Sequence, residues 1–231
     1  MTYDNITKAI FISRPNRFIA KVRLFDSQEE NATEETVHVK NTGRCKELLI
    51  PGCTVYLEKS NNPNRKTLYD LIAVEKETSQ GIKLFNIDSQ APNKVVLEWL
   101  QKQDFSLIKP EYTFGKSRFD FYLEKIDEKT GKTEKILMEV KGCTLEIDGI
   151  GYFPDAPTER GVKHLNELAA AISEGYKGIL AFVIQMEGIF EVRPNRKTHP
   201  EFAEALEKAK ASGVEVLFLQ CRVKADELEI V

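Results

Sequence analysis

The 231-residue sequence predicts an α+β chain in two parts, a small β-barrel over residues 1–85 and a mixed sheet flanked by helices over residues 86–231. Three observations predict it. The first part holds short β-rich apolar runs separated by turn residues, with no long helical period. The second part alternates helical spacing with strands, in the order α-β-β-β-α-β-α-β. The charge also changes sign: residues 1–85 carry 13 Lys/Arg against 11 Asp/Glu, net +2, and the remainder is −5. Five of the early acids sit in one polar stretch, Asp26 to Glu35, so the rest of the first part is strongly basic. A basic region joined to an acidic one is compatible with a nucleic-acid grip beside a cation site.

Composition narrows the class. The chain is 42% hydrophobic and 30% charged, enough for a packed core under a polar surface. No apolar run reaches the roughly 18 residues of a membrane span, and no signal-peptide pattern opens the chain. Cys45, Cys53, Cys143 and Cys221 are scattered without a C-x-x-C pair, which points to reduced thiols and a cytoplasmic protein. Neither a membrane nor a nucleotide cofactor is expected as a partner.

In the first part, Ala9–Ile12 and Phe18–Leu24 read as strands, with a break at Arg14-Pro-Asn-Arg17. A polar loop over Asp26–Thr36 precedes strand Thr36–Lys40. Cys45–Leu49 reads as a helical turn, Val55–Lys59 as a strand, Asn61–Asn64 as a turn and Leu68–Lys76 as the returning strand. About five short strands with one helical insert make an oligonucleotide/oligosaccharide-binding (OB) barrel the natural candidate. Arg14, Arg17, Lys40, Arg44, Arg65 and Lys66 fall at strand ends or turns, where cations can follow phosphates, and Arg65-Lys66 is the preferred contact. Phe18 and Tyr56 are available for base stacking, although core packing is the expected fate of both.

In the second part, Pro92–Gln103 predicts a helix capped by Ser89. Strands follow at Leu107–Phe114, Arg118–Ile126 and Lys135–Lys141, with a turn at Asp127–Gly131. Helices are expected at Thr158–Gly175 and Pro200–Ser212. Gly178–Gln185 is a strand apolar on both faces and Val214–Cys221 another, and the tail after Arg222 carries no signal.

The chemistry concentrates in Ser117–Leu123 and Ile136–Gly142. Alternation places Phe119, Phe121 and Leu123 on one face and Arg118, Asp120 and Tyr122 on the other. Glu139 and Lys141 likewise share a face. If these strands are neighbours, Asp120, Glu139 and Lys141 meet, giving two carboxylates and an ammonium suited to a divalent cation and phosphodiester hydrolysis. The competing reading is an ion pair on a polar sheet face.

The strand order, with Asp120 on the second strand and Glu139-Val-Lys141 on the third, resembles the PD-(D/E)xK restriction-endonuclease-like superfamily. Phe119 stands where that motif has proline. Longer segments look like the sugar fermentation stimulation protein A (SfsA) family: Arg14-Pro-Asn-Arg-Phe18, His38-Val-Lys-Asn-Thr-Gly-Arg44, Asn62-Pro-Asn-Arg-Lys66, Asp88-Ser-Gln-Ala-Pro-Asn93, Met138-Glu-Val-Lys-Gly-Cys-Thr144 and Phe153-Pro-Asp-Ala-Pro-Thr-Glu-Arg-Gly161. The resemblance implies an OB-like domain, a nuclease-like domain, DNA binding and a genetic link to maltose-type sugar metabolism.

Under that reading Asp120 and Glu139 hold Mg²⁺ or Mn²⁺ with the Val140 carbonyl, and Lys141 orients the attacking water. Glu98, mid-helix, is a second-tier acid whose alternative is a solvated charge beside Lys94 and Lys102. Arg160 and His164 lie with Glu167 along one side of a helix, away from Leu165 and Leu168. A cation there would hold the scissile phosphate, with a plain surface histidine as the alternative. Cys143, Thr144 and the Tyr152–Pro157 loop are possible site linings. The functional expectation is a DNA-binding protein with a metal-dependent nuclease site. The alternative is a non-catalytic DNA-binding regulator of sugar metabolism that retains the nuclease fold.

Overall fold

The structure, a computed structural model, describes residues 1–24, 33–41, 43–78, 81–115 and 117–231; most of the expected polar loop, residues 26–32, and Thr42 lie outside them. Strands β1 (Ile6–Asn16), β2 (Ile19–Leu24), β3 (Glu34–Val39), β4 (Thr54–Lys59) and β5 (Tyr69–Thr78) build the first sheet. β1 pairs antiparallel with β2 and β4, and those pair in turn with β3 and β5. A parallel contact at His38↔Asp70 and Val39↔Leu71 joins β3 to β5 and closes the barrel. This five-stranded closure is an OB fold. Alternate residues fill it: Ala9 and Phe11, Ala20 and Val22, Val37 and Val39, Val55 and Leu57 are all buried. Between β3 and β4, Leu49 N–H bonds the Cys45 carbonyl at 2.9 Å, the expected helical turn.

β1 runs on into the expected break at Arg14–Arg17, through two register shifts, and ends at Asn16. Such irregularities are where a strand tolerates a residue like Pro15, which has no N–H for the ladder. The Asn16 Oδ1 then accepts from the N–H groups of Phe18 and Ile19, at 2.8 and 3.1 Å, and fixes the hairpin tip.

A strand absent from the sequence reading, β6 (Gly81–Asn86), returns along β5 and leads out of the barrel. After it come α1 (Ala91–Leu100), β7 (Leu107–Phe114), β8 (Ser117–Ile126) and β9 (Thr133–Cys143). Next are β10 (Leu145–Ile147), β11 (Ile150–Phe153), α2 (Glu159–Ser173), β12 (Lys177–Ile184) and β13 (Val192–Pro194). The chain ends with α3 (Pro200–Ala211), β14 (Glu215–Lys224) and β15 (Glu227–Ile230). The main sheet has the order β15-β14-β12-β9-β8-β7, parallel at β9–β12–β14, and β10, β11 and β13 form a small side sheet. β12 is buried on both faces: Leu180, Phe182 and Ile184 join one core, Ile179, Ala181 and Val183 the other. The uninformative tail is β15, which pairs with β14 and receives the N-terminus, Leu228 N–H bonding the Met1 carbonyl at 3.0 Å.

Two helix starts differ in how they are held. Thr158 caps α2, its hydroxyl accepting from Gly161 N–H at 3.0 Å. Ser89 does not cap α1, because its hydroxyl donates to the Lys40 carbonyl of the barrel at 2.7 Å. The Asp88 carboxylate turns the chain there instead, accepting from Gln90 N–H at 2.9 Å. The helix also stops at Leu100 rather than Gln103.

Barrel and sheet are locked by a buried polar network. Lys40 Nζ lies 3.2 Å from Asp88, 3.5 Å from Glu58 and 3.8 Å from Asp70. Although its burial acts to lower the Lys40 ammonium, the charge of Asp88, then Asp70 and Glu58, holds it above its usual value. Gln185 donates to Asn86 Oδ1 and to the Asp88 carbonyl at 2.9 and 3.1 Å. Gly142 makes that approach possible, since a Cβ there would stand 2.3 Å from Gln185 Oε1 and 2.8 Å from Pro92 Cγ. Among the described residues no helix is long and apolar enough to cross a membrane, and the four cysteines are free thiols.

Candidate functional site

The central strands of the main sheet part at the predicted carboxylates. The β8–β9 ladder runs from Ile126↔Thr133 to Phe121↔Met138 and ends there. Beyond it the Asp120 carboxylate takes the N–H of Val140 at 2.7 Å, a bond made by side chain instead of backbone. Its other oxygen accepts from Asn93 Nδ2, in the first turn of α1, at 2.7 Å. The strand also changes faces here, against simple alternation. Phe119 packs with Phe114 and the His164 ring on the α2 side, in the same core as Tyr122, whereas Phe121 and Leu123 join the α1 side. The end of the β9 ladder leaves β8 paired on its β7 side alone, which gives its backbone room to rotate.

On β9 the period of two holds. Met138 and Val140 enter the α1-side core, and Glu139 faces α2. Glu139 Oε1 accepts short bonds from Lys141 Nζ and His164 Nδ1. The Arg160 Nε–H points at His164 Nε2 over 3.4 Å, which makes Nε2 the acceptor and leaves Nδ1 as the donor to Glu139. Glu139 Oε2 is buried without a hydrogen-bond partner. Burial pushes the Glu139 carboxyl up, but the His164 bond and the Lys141 charge outweigh it and hold it below the usual range. Asp120 goes the other way. Burial first, then the Glu139 charge, raise its carboxyl against the lowering by Val140 N–H, Lys141 and Asn93. The two carboxylates therefore sense each other.

Other predicted residues fall elsewhere. Glu98 is not at this site; its carboxylate pairs with the N-terminal ammonium at 2.7 Å. His164 is no surface histidine but is buried against Glu139, because the α2 stripe facing β8 and β9 extends past Leu165 and Leu168 to include it. Its Nδ1 is taken up by the Glu139 carboxylate. Arg160 is exposed at its side. Cys143 is buried, its thiol against the Leu145 and Tyr152 carbonyls. Thr144 and the Tyr152–Pro157 loop line a cavity of about 360 Å³ just past Gly142. Asn93 was missed, since an Asn after Pro at a helix start reads as local capping chemistry and carries no mark of a partner 27 residues away.

In the barrel, Arg14 donates to the carbonyls of Arg44, Arg17 and Asn41 at 2.7–2.8 Å. Arg65 makes a two-pronged pair with Asp70 at 2.8 and 2.6 Å, and Lys40 belongs to the interdomain network. These three hold the fold. Arg17, Arg44 and Lys66 are exposed. Phe18 is not in the core; it is 51% exposed, with the Arg17 guanidinium 5.9 Å from its ring centre. Tyr56 is half-buried and donates to Glu75 at 2.6 Å.

A closed OB barrel docked on a sheet of this order, with Asp120, Glu139 and Lys141 where its central strands part, defines a two-domain protein of an OB unit and a restriction-endonuclease-like unit. Sequence comparison agrees: a model described as "SfsA N-terminal OB domain" matches residues 12–82 and one described as "Sugar fermentation stimulation protein RE domain" matches residues 90–227. The chain belongs to the sugar fermentation stimulation protein (SfsA) family. Relatives described as sugar fermentation stimulation protein homologs include that of Desulfitobacterium hafniense strain Y51, 52% identical over 99% of this chain and 95% of its own. That of Clostridium beijerinckii is 51% identical over 100% and 96%. Among solved structures, Pyrococcus furiosus SfsA in complex with Ca²⁺ superposes with a TM-score of 0.79 at 27% identity, covering 100% of this chain and 96% of that one.

Proposed function

We propose that this protein binds DNA and hydrolyses its phosphodiester bonds at a divalent-metal site formed by Asp120 and Glu139. The observation that carries the reading is Glu139 Oε2, an ionised oxygen buried without a partner beside a second, half-buried carboxylate, that of Asp120. Such an arrangement is costly unless a cation joins it. The donor set fits a hard cation, since Asp120, Glu139 and the Val140 carbonyl offer oxygen only. Among the described residues no three His, Cys, Asp or Glu side chains form a metal-binding group. Mg²⁺ accepts that economy, being held by one or two carboxylates with waters and substrate phosphate completing its shell. The relative from Pyrococcus furiosus was solved with Ca²⁺, another oxygen-seeking cation.

Bound there, Mg²⁺ or Mn²⁺ would polarise the scissile phosphate and lower the pKa of a water. The chain's own residues do the rest. His164 and Lys141 fix the Glu139 carboxylate through Oε1, and Oε2, which has no partner, would be the oxygen to hold the ion. Asn93 and Val140 N–H orient Asp120. Lys141 and exposed Arg160 place positive charge where the phosphate gains negative charge.

One observation favours the alternative, a DNA-binding regulator that keeps the fold without catalysis: Lys141 is already paired with Glu139. Cleavage of single-stranded, duplex and branched DNA with Mg²⁺ or Mn²⁺ separates the two. The nuclease reading expects wild-type cutting that disappears in Glu139→Gln and Asp120→Asn. If wild type and both variants are alike on all three substrates, Asp120 and Glu139 form no nuclease site.

A further inference from the structure

A cavity at the end of β9 continues onto the barrel. It begins at Gly142 and Thr144, directly after Lys141, and passes between the Tyr152–Thr158 loop and Asn41, Gly43 and Arg17. A second cavity of about 570 Å³ shares Arg17, Gly43, Ala156 and Pro157 with it and extends to Arg44 and Lys46. The two form one groove.

Its walls belong to different domains and are tied together. Asp155 Oδ2 accepts from Arg44 N–H at 2.6 Å and Cys45 N–H at 3.1 Å, and Arg14 fastens the same barrel loop to the β1–β2 hairpin. The groove width is therefore set by hydrogen bonds across it. Arg17, Arg44 and Lys46 along the barrel side are all exposed, whereas Asp155, the acid on the opposite wall, has one oxygen held by backbone N–H groups. At the hairpin tip the Phe18 ring stands half in water with the Arg17 guanidinium over it. Its backbone is fixed by Asn16 Oδ1 and by Val39 N–H, which donates to the Phe18 carbonyl at 2.8 Å. A solvent-facing aromatic on a hydrogen-bonded backbone, with a cation beside it, suits an unpaired base, because a base in a duplex has both faces covered by its neighbours.

We propose that a single strand of DNA runs from the Asp120–Glu139 site along this groove, its phosphates on Arg17, Arg44 and Lys46 and one base on Phe18. This makes single-stranded DNA, or a single-stranded branch of a larger substrate, the ligand class, with a footprint of roughly 4 nucleotides, the lower end for an OB unit. It rests on the reading of the second domain as a phosphodiester site.

The test is fluorescence anisotropy in EDTA, so that cutting does not enter, with a labelled 12-nucleotide single strand and the matching duplex on the full chain. The single strand should bind at least about 10-fold tighter than the duplex. Phe18→Ala should weaken it by roughly 5- to 150-fold and leave duplex binding unchanged. Arg17→Ala and Arg44→Ala should each reduce the slope of log affinity against log salt by about 0.7. Duplex affinity equal to or above that of the single strand, or a Phe18→Ala protein that binds like wild type, overturns the path. Tighter binding of an RNA 12-mer overturns the choice of DNA. The two readings fail differently: loss of the nuclease reading leaves strand preference without cutting, and loss of the path leaves cutting without strand preference.

Discussion

Glu139→Gln probes the site with little change of shape. Gln is isosteric with Glu, so its amide oxygen still accepts from Lys141 and His164, while the charge and one of two metal-binding carboxylates are lost. Glu139 and His164 are nearly fully buried and Lys141 only 17% exposed at its side chain. Exchanging charge-assisted bonds for neutral ones in such a place costs about 1–3 kcal/mol. Glu139→Ala would cost more, about 3–5 kcal/mol, by leaving a buried pair without its anion. At about 2–4 °C per kcal/mol for a chain of this size, Glu139→Gln should melt a few degrees below wild type and remain folded. A ligand at 100 times its Kd adds about 2.7 kcal/mol of stability. Saturating Mn²⁺ should therefore raise the wild-type Tm by roughly 5–10 °C, and the Glu139→Gln Tm by none. The assay is a thermal melt across a Mn²⁺ titration, with no substrate present. An equal Mn²⁺ shift in both proteins would refute the assignment, because the metal would then bind somewhere that Glu139 does not reach.

Two further predictions concern the supports of the site. Burial tends to raise Asp70, but its bonds to Arg65 and His38 hold its carboxyl below the usual value. Its stabilising contribution is thus present above an unfolded pKa of about 3.9 and lost as pH falls through the lower native value. Asp70→Asn should destabilise by about 3–5 kcal/mol at pH 7 in urea unfolding, with the gap to wild type closing only below about pH 4; a pH-independent gap would show that the ion pairs are idle. Gly142→Ala should cost about 1–3 kcal/mol by pushing Gln185 off Asn86 and Asp88. A melt unchanged within 1 °C would mean that the interdomain network does not depend on this close approach.

The legible part of this protein was whatever depends on the local period of the chain. Alternation separated Val140 from Glu139 and Lys141, and helical spacing found α1, α2 and α3, because backbone geometry alone dictates which side chains share a face. The same rule failed at Phe119, where the strands part and β8 answers to tertiary contacts. β10, β11, β13 and β15 are only three or four residues long and form by pairing, so they carry too little pattern to be read.

Local pattern was enough for two units, a barrel and a mixed sheet, and for placing an acid and Glu-x-Lys on adjacent strands. Docking of the elements settled the rest: His164 is committed to Glu139, Asn93 to Asp120 and Glu98 to the N-terminal ammonium, and some barrel cations are tied down while others stay exposed. Arg14, Lys40 and Arg65 look the same in the sequence as Arg17, Arg44 and Lys66, yet the first three are held by carbonyls or carboxylates. Their partners lie from 3 to 30 residues away in the barrel and 48 residues away, at Asp88, across the domain junction. No local signal encodes a contact made when two separately patterned units dock, since its energy exists only after both have folded.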